Sequence, residues 1–361
     1  MPAPTPTDRL RDRFRGCLLA GGLGDALGYP VEFMPTADIV RAYGIDAPVR
    51  LAIRGPAVIS DDTQMTLFSA EGVIRAAQRM RNRGLCDPIA VLRNAYLRWY
   101  ATQTQSALAS VPHPGWLVGE RRLWVQRAPG TTCMSALRTL SVQPHRTPTV
   151  ASPPNDSKGC GAVMRSAPFG LGIAERGRAF SLARDAGVLT HGHPSGYLSA
   201  AYLASVICDV ARGAALPDAM KEAHALCRRE PQHEELLAVL DRAVVLAAGG
   251  PPTAAQLEAV GGGWTGEEAL AIAVACALTA DLTSADGIKA ALWRAAAHAG
   301  DSDSTASICG NLLGASVGAA GLPADWLAEL ELREVIERLA DDLLRTMDRG
   351  QALDYGDYPP S

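Results

Sequence analysis

Lysine is nearly missing from this chain, with Lys158, Lys221 and Lys289 its sole representatives beside an arginine-rich basic set. Net charge is equally slight, because 34 Lys and Arg stand against 38 Asp and Glu for a formal −4. Neither nucleic acid nor an anionic membrane is therefore an expected partner, and a small-molecule or protein-borne substrate is. The opening MPAPTPTDRL has no apolar stretch of the kind a secretion signal carries, and the longest wholly apolar run, 269–278, is well short of the roughly 20 residues of a membrane span. A cytoplasmic protein, acting as a monomer, is the expectation. The cysteines Cys17, Cys86, Cys133, Cys160, Cys208, Cys227, Cys276 and Cys309 form no C-x-x-C pair, which argues against a zinc knuckle or a disulfide frame. Most sit in apolar stretches and read as reduced core thiols. Aromatic residues make up only 5 %, and no run of alternating β-branched residues suggests a strand.

What is present is helical periodicity in a chain whose 361 residues, 48 % of them apolar, suffice for a large core. Leu67, Ala70, Ile74 and Ala77 share one stripe within 63–80, and Ile308, Leu312, Ala315 and Ala319 share another. Further helices are predicted over 197–212, 217–229, 235–248, 266–280, 286–299 and 331–349, all rich in Ala and Leu. The class is all-α. Residues 269–278 are apolar on every side, so other helices must surround them and the bundle must have several layers. Pro- and Ser-rich segments at 110–115 and 142–155 read as loops within one domain.

Two segments combine carboxylates and hydroxyls immediately before the two clearest stripes: Ser60-Asp61-Asp62-Thr63 and Asp301-Ser302-Asp303-Ser304. Mg²⁺ and Mn²⁺ take hard oxygen ligands, at about 2.0–2.1 Å for Mg²⁺. Ser60, Asp61, Asp62, Asp301, Asp303 and Ser304 supply such oxygens, and the ligand count suits two ions better than one. Four carboxylates gathered without a cation would repel strongly at an effective dielectric of about 20, so their convergence implies bound metal. The same residues are also ordinary helix caps, and a cap accounts for one Asp per helix. Glu32, in GDALGYPVEF, is a third candidate; its alternative is a surface glutamate beside a hydrophobic anchor.

Taken in order, GCLLAGGLGDALGYPVEF, ISDDTQMT, SKGCGAVMRSAPFGL, THGHPSGYLSA, GGGWTGEEALAIA and HAGDSDSTASICGNLLGA resemble the ADP-ribosylglycohydrolase family over residues 16–319. The resemblance implies a single-domain, multilayer orthogonal helical bundle at 8–349 with a tail at 350–361. It implies a dinuclear Mg²⁺ or Mn²⁺ centre that cleaves the bond between ADP-ribose and an acceptor. Family members commonly have Thr where Ser60 and Ser304 stand, and both exchanges keep an oxygen ligand. Glu32 matches a catalytic acidic residue of some members, with Asp62 the second candidate for proton transfer. The loop Ser157-Lys158-Gly159-Cys160-Gly161, with Met164, resembles the family's ADP-ribose cradle. Asn is frequent where Cys160 stands. Glycines let backbone N–H groups approach an anion. His191 matches a histidine lining the ligand cleft. Lys158 is a candidate phosphate contact or a solvated lysine, and Trp264 and Trp116 are candidate stacking or core residues.

The implied reaction releases ADP-ribose from a modified protein, arginine linkage first, or from an O-linked, small-molecule or nucleic-acid conjugate. A non-enzymatic binding or structural descendant of the fold and a metal phosphohydrolase that releases AMP are the competing classes.

Overall fold

Five glycines, Gly16, Gly21, Gly22, Gly24 and Gly28, would each weaken a solitary helix by about 1 kcal/mol relative to alanine. A single helix nevertheless runs Pro6–Gly28 in this computed structural model, capped by Thr5 through the Asp8 N–H. Its partner, helix Ser302–Val317, explains why. A Cβ on Gly16 would stand 2.5 Å from the Gly314 carbonyl oxygen, on Gly24 2.1 Å from that of Ala306, and on Gly28 2.3 Å from that of Ser302. Each step of four along one helix matches a step of four back along the other, so the pair is antiparallel with backbones in contact. That helix has no stripe for sequence reading to find, because its contact face is made of glycine.

The structure describes residues 5–105, 113–143, 145–347, 353–354 and 356–360. Among them there is no extended strand, only isolated bridges. Helices Asp61–Arg83 and Arg333–Met347 lie on one side of the glycine-joined pair, and Gly266–Leu278 and Ala285–Ala296 on the other. Pro194–Val210, Glu234–Ala248 and Arg176–Val188 add outer layers. The fully apolar segment is buried throughout Ala269–Ala277, walled in by its neighbours as its composition requires.

The predicted helices form at Asp61–Arg83, Pro194–Val210, Leu216–Cys227, Glu234–Ala248, Gly266–Leu278, Ala285–Ala296 and Arg333–Met347. The end of the last predicted helix lies outside the described residues, as does part of the 110–115 loop. Helices Pro88–Gln103, Thr131–Val142 and Arg176–Val188 are additional. No described helix is long and apolar enough to cross a membrane. Near the C-terminus, the buried Tyr358 donates to Asp342 at 2.6 Å, and Arg75 donates to the Pro359 carbonyl at 3.1 Å. Trp116 meets the Tyr358 ring edge-on and lies under the Arg338 guanidinium, so its aromatic face is engaged there.

Candidate active site

Both acidic segments are helix caps, as the bland reading holds. Ser60 accepts the Asp62 N–H at the start of Asp61–Arg83, and Asp301 accepts the Ser304 N–H at the start of Ser302–Val317. Capping is only half of their geometry, because the two N-termini meet. Ser304 Oγ donates to an Asp62 carboxylate oxygen at 2.9 Å, across 242 positions of sequence. Ser60 Oγ lies 3.2 Å from the other Asp62 oxygen.

Glu32 follows the short turn Tyr29–Val31 that continues the first helix. It comes to the same place because the glycine contacts press that helix onto Ser302–Val317. One carboxylate oxygen each from Glu32, Asp301 and Asp303 lie within 4.8 Å of one another. Asp61 accepts the Gly130 N–H at 3.3 Å. Asp61, Asp62, Asp301 and Asp303 are buried and Glu32 is half-buried.

Asp25, in the GDALGYPVEF segment, is a site residue that sequence reasoning missed. It is fully buried, and its carboxylate accepts the backbone N–H of Ser60 at 2.9 Å and of Thr63 at 3.0 Å. It thus caps the Asp61–Arg83 helix from a different helix and ties the helix leading to Glu32 to the Ser60–Thr63 segment. The missed signal was an acid in the middle of a glycine-rich helical face, where a charge needs a buried partner.

Among the described residues, none of these six carboxylates pairs with a lysine or arginine; Arg127, on the adjoining loop, pairs with Glu331 at 3.3 Å. Burial first, then neighbouring carboxylates, pushes Asp61, Asp62 and Asp303 well above the usual range, and burial raises Asp25. Glu32 is pushed up to about 8 by burial and by Asp301 and Asp25. Buried anions of one sign with hydroxyl neighbours form a hard oxygen donor set. That set fits a Mg²⁺- or Mn²⁺-type cation, which would replace the missing counter-charge.

The sign of the shift predicts how the metal-free protein responds to pH. A carboxyl whose pKa is higher folded than unfolded contributes fully below its unfolded value and loses that contribution as pH rises through the folded one. In EDTA, Tm is therefore expected to fall as pH rises from about 4.5 to about 8, the range of the Glu32 shift. Added Mg²⁺ should restore it, most strongly at the upper end, where ligands are deprotonated. A Tm that stays flat in EDTA across that window would contradict the clustering.

The glycine-rich loop adjoins the acids. Ser157 Oγ lies 3.0 Å from Thr132 Oγ1 at the start of helix Thr131–Val142, which has no side-chain cap. Cys160 Sγ donates to Asp301 at 2.8 Å, and Met164 Sδ is 3.9 Å from Ser304 Oγ. Gly159 and Gly161 pass over His191: a Cβ would come 3.4 Å from its Nε2 at Gly159 and 3.0 Å from its Cε1 at Gly161. His191 is 1 % exposed, and burial followed by the Arg165 charge lowers its pKa to about 3. It is neutral. Thr190 Oγ1 accepts from Arg165 at 2.6 Å and lies 2.8 Å from His191 Nδ1, which fixes the ring with its Nε2 edge toward the loop. Lys158 is not free for a phosphate, since its Nζ pairs with Glu235 at 2.7 Å and Glu267 at 3.1 Å. A groove of about 790 Å³ between helices Asp61–Arg83 and Arg176–Val188 contains none of these residues.

The ADP-ribosylglycohydrolase family model matches residues 6–352. The chain is 24 % identical to the ADP-ribosyl-[dinitrogen reductase] glycohydrolase of Rhodospirillum rubrum, over 93 % of this chain and 96 % of that protein. It is also 24 % identical to the ADP-ribosylarginine hydrolase Tri1 of Serratia proteamaculans, over 95 % of this chain and 81 % of that one. A solved ADP-ribosylglycohydrolase-related protein complex shares the fold with a TM-score of 0.65 at 24 % identity, covering 94 % of this chain and 99 % of that chain. With the family model spanning nearly the whole chain, the protein belongs to the ADP-ribosylglycohydrolases, enzymes that hydrolyse glycosyl bonds.

Proposed function

We propose that this enzyme cleaves the bond between ADP-ribose and a protein side chain, arginine foremost, releasing ADP-ribose and so reversing ADP-ribosylation. The carrying observation is the meeting of Ser304 with Asp62 beside the Glu32, Asp301 and Asp303 oxygens. Ser60, Asp61, Asp62, Asp301, Asp303 and Ser304 would hold two ions of the Mg²⁺ or Mn²⁺ class. Such ions, when bound, polarise substrate oxygens and acidify water.

The chain's own residues divide the remaining work. Glu32 alone among the six carboxylates is not fully buried, so it can exchange protons with solvent and serve as general acid or base. Asp62 is the weaker candidate, because the Ser304 and Ser60 hydroxyls occupy its oxygens. Ser157, Gly159, Cys160, Gly161 and Met164 would cradle ADP-ribose, with the neutral His191 ring packed beneath the loop. The uncapped start of helix Thr131–Val142 offers N–H groups to the diphosphate without a cationic side chain. The substrates in the two relatives' names, dinitrogen reductase and ADP-ribosylarginine, favour a protein acceptor and an arginine linkage. Eight unpaired cysteines suit a reducing cytoplasm.

Parallel incubation with arginine-, serine- and nucleotide-linked ADP-ribose, with products separated by mass, tests this. Intact ADP-ribose is expected, fastest from the arginine conjugate. Release of AMP would show diphosphate cleavage instead. No product, together with no thermal shift from Mg²⁺ and ADP-ribose, would show a structural descendant. Glu32→Gln is expected to lower kcat by about 100-fold or more while ADP-ribose still binds; unchanged turnover would remove Glu32 from the chemistry.

A further inference from the structure

Two exposed aromatic rings stand at the edge of the acidic centre in a chain with few aromatics. Phe33, directly after Glu32, is 68 % exposed, and Trp264 is 42 % exposed. Their rings stack with centroids 5.0 Å apart and planes 22° from parallel. Phe33 has a φ of 65°, a left-handed backbone that a bulky residue rarely adopts. The loop carrying Trp264 is joined to the second acidic segment: Asp301 N–H donates to the Gly262 carbonyl at 2.9 Å, and the Phe33 N–H to that of Gly300 at 3.4 Å. Gly263, at φ 79°, would bring a Cβ within 3.4 Å of Asp301 Cβ. The aromatic pair is thus tied by short backbone links to Glu32 on one side and Asp301 on the other.

Two acids without a cationic partner adjoin the loops that carry these rings. Outside the proposed metal set, Glu258 accepts the Ala299 N–H at 3.1 Å, and Glu268 packs against Gly261. Among the described residues, neither of these two acids pairs with a lysine or arginine. Exposed ring faces beside unpaired carboxylates favour a flat cation, since the ring quadrupole and the carboxylates attract it together and a guanidinium can stack as well as donate. A hydroxyl acceptor gains neither contact.

We infer that Phe33 and Trp264 form the acceptor-side wall of the site and select a guanidinium leaving group. This rests on the glycohydrolase reading above. The test compares KM for arginine-linked and serine-linked ADP-ribose, alongside calorimetric binding of free ADP-ribose, in the unaltered chain and in Trp264→Ala, Phe33→Ala and Trp264→Phe. Both side chains are exposed, so folding should survive their truncation. Either alanine variant should raise KM for the arginine conjugate about tenfold, Trp264→Phe should restore most of it, and the Kd of free ADP-ribose should hold within about twofold. An unchanged KM for the arginine conjugate, or an equal rise for both conjugates, overturns the wall while ADP-ribose binding keeps the parent reading standing. A chain that neither binds ADP-ribose nor releases it from any conjugate overturns both.

Discussion

Replacing Asp303 by asparagine is expected to reduce turnover at least about a hundredfold and, in EDTA, to raise the melting temperature by a few degrees. The two effects have one cause. Asp303 is 2 % exposed and shares a space of 4.8 Å with oxygens of Glu32 and Asp301. Two unit charges at that separation repel by about 3 kcal/mol at an effective dielectric of 20, a cost the protein avoids only by binding protons or a cation. Asparagine removes one charge of the set while keeping its shape. The metal-free fold therefore gains, and the capacity to hold a divalent ion falls. Differential scanning in EDTA and in Mg²⁺, paired with an ADP-ribose release assay, reads both quantities. Asp303→Asn protein that is less stable in EDTA would mean that the carboxylate is a structural hydrogen-bonding group, and retained turnover in saturating metal would remove it from the metal set.

Gly310→Ala should destabilise the protein by about 3 kcal/mol or more, a large effect for one methyl group. The new Cβ would stand 2.0 Å from the Ala20 carbonyl oxygen and 2.5 Å from its carbon, backbone atoms that cannot swing aside. The two central helices must separate, and separation carries Asp25 and Glu32 away from Asp301 and Asp303. Activity should fall with stability. Gly119→Ala supplies the control, since nothing lies within 4 Å of its added methyl and its φ is ordinary; it should be neutral or stabilising by about 0.4–1 kcal/mol. Chemical denaturation of the two variants measures the difference, and equal stability would refute the close approach of the helices.

The predicted elements that form close to their expected limits are those whose signal is local. The stripe around Leu67 and Ile74 and the apolar block at Ala269–Ala277 needed no knowledge of their neighbours. The acidic pairs were readable for the same reason, because clustered carboxylates and hydroxyls at helix starts are visible in the chain itself. Helix Pro6–Gly28 was hidden, since glycine registers as helix-breaking until its partner helix is known. Lys158 and Trp116 both offered a functional reading from their setting, and tertiary partners engage them: Glu235 and Glu267 in one case, Tyr358 and Arg338 in the other.

The order of residues alone determined an all-helical chain with hard oxygen donors at two helix starts, since periodicity and side-chain chemistry act over a few residues. Only the folded molecule decided that Asp25 would cap a distant helix, that Ser304 would reach Asp62, and that Phe33 would lie against Trp264. Those facts depend on how closely two glycine-faced helices approach, a distance set by backbone atoms meeting across the core.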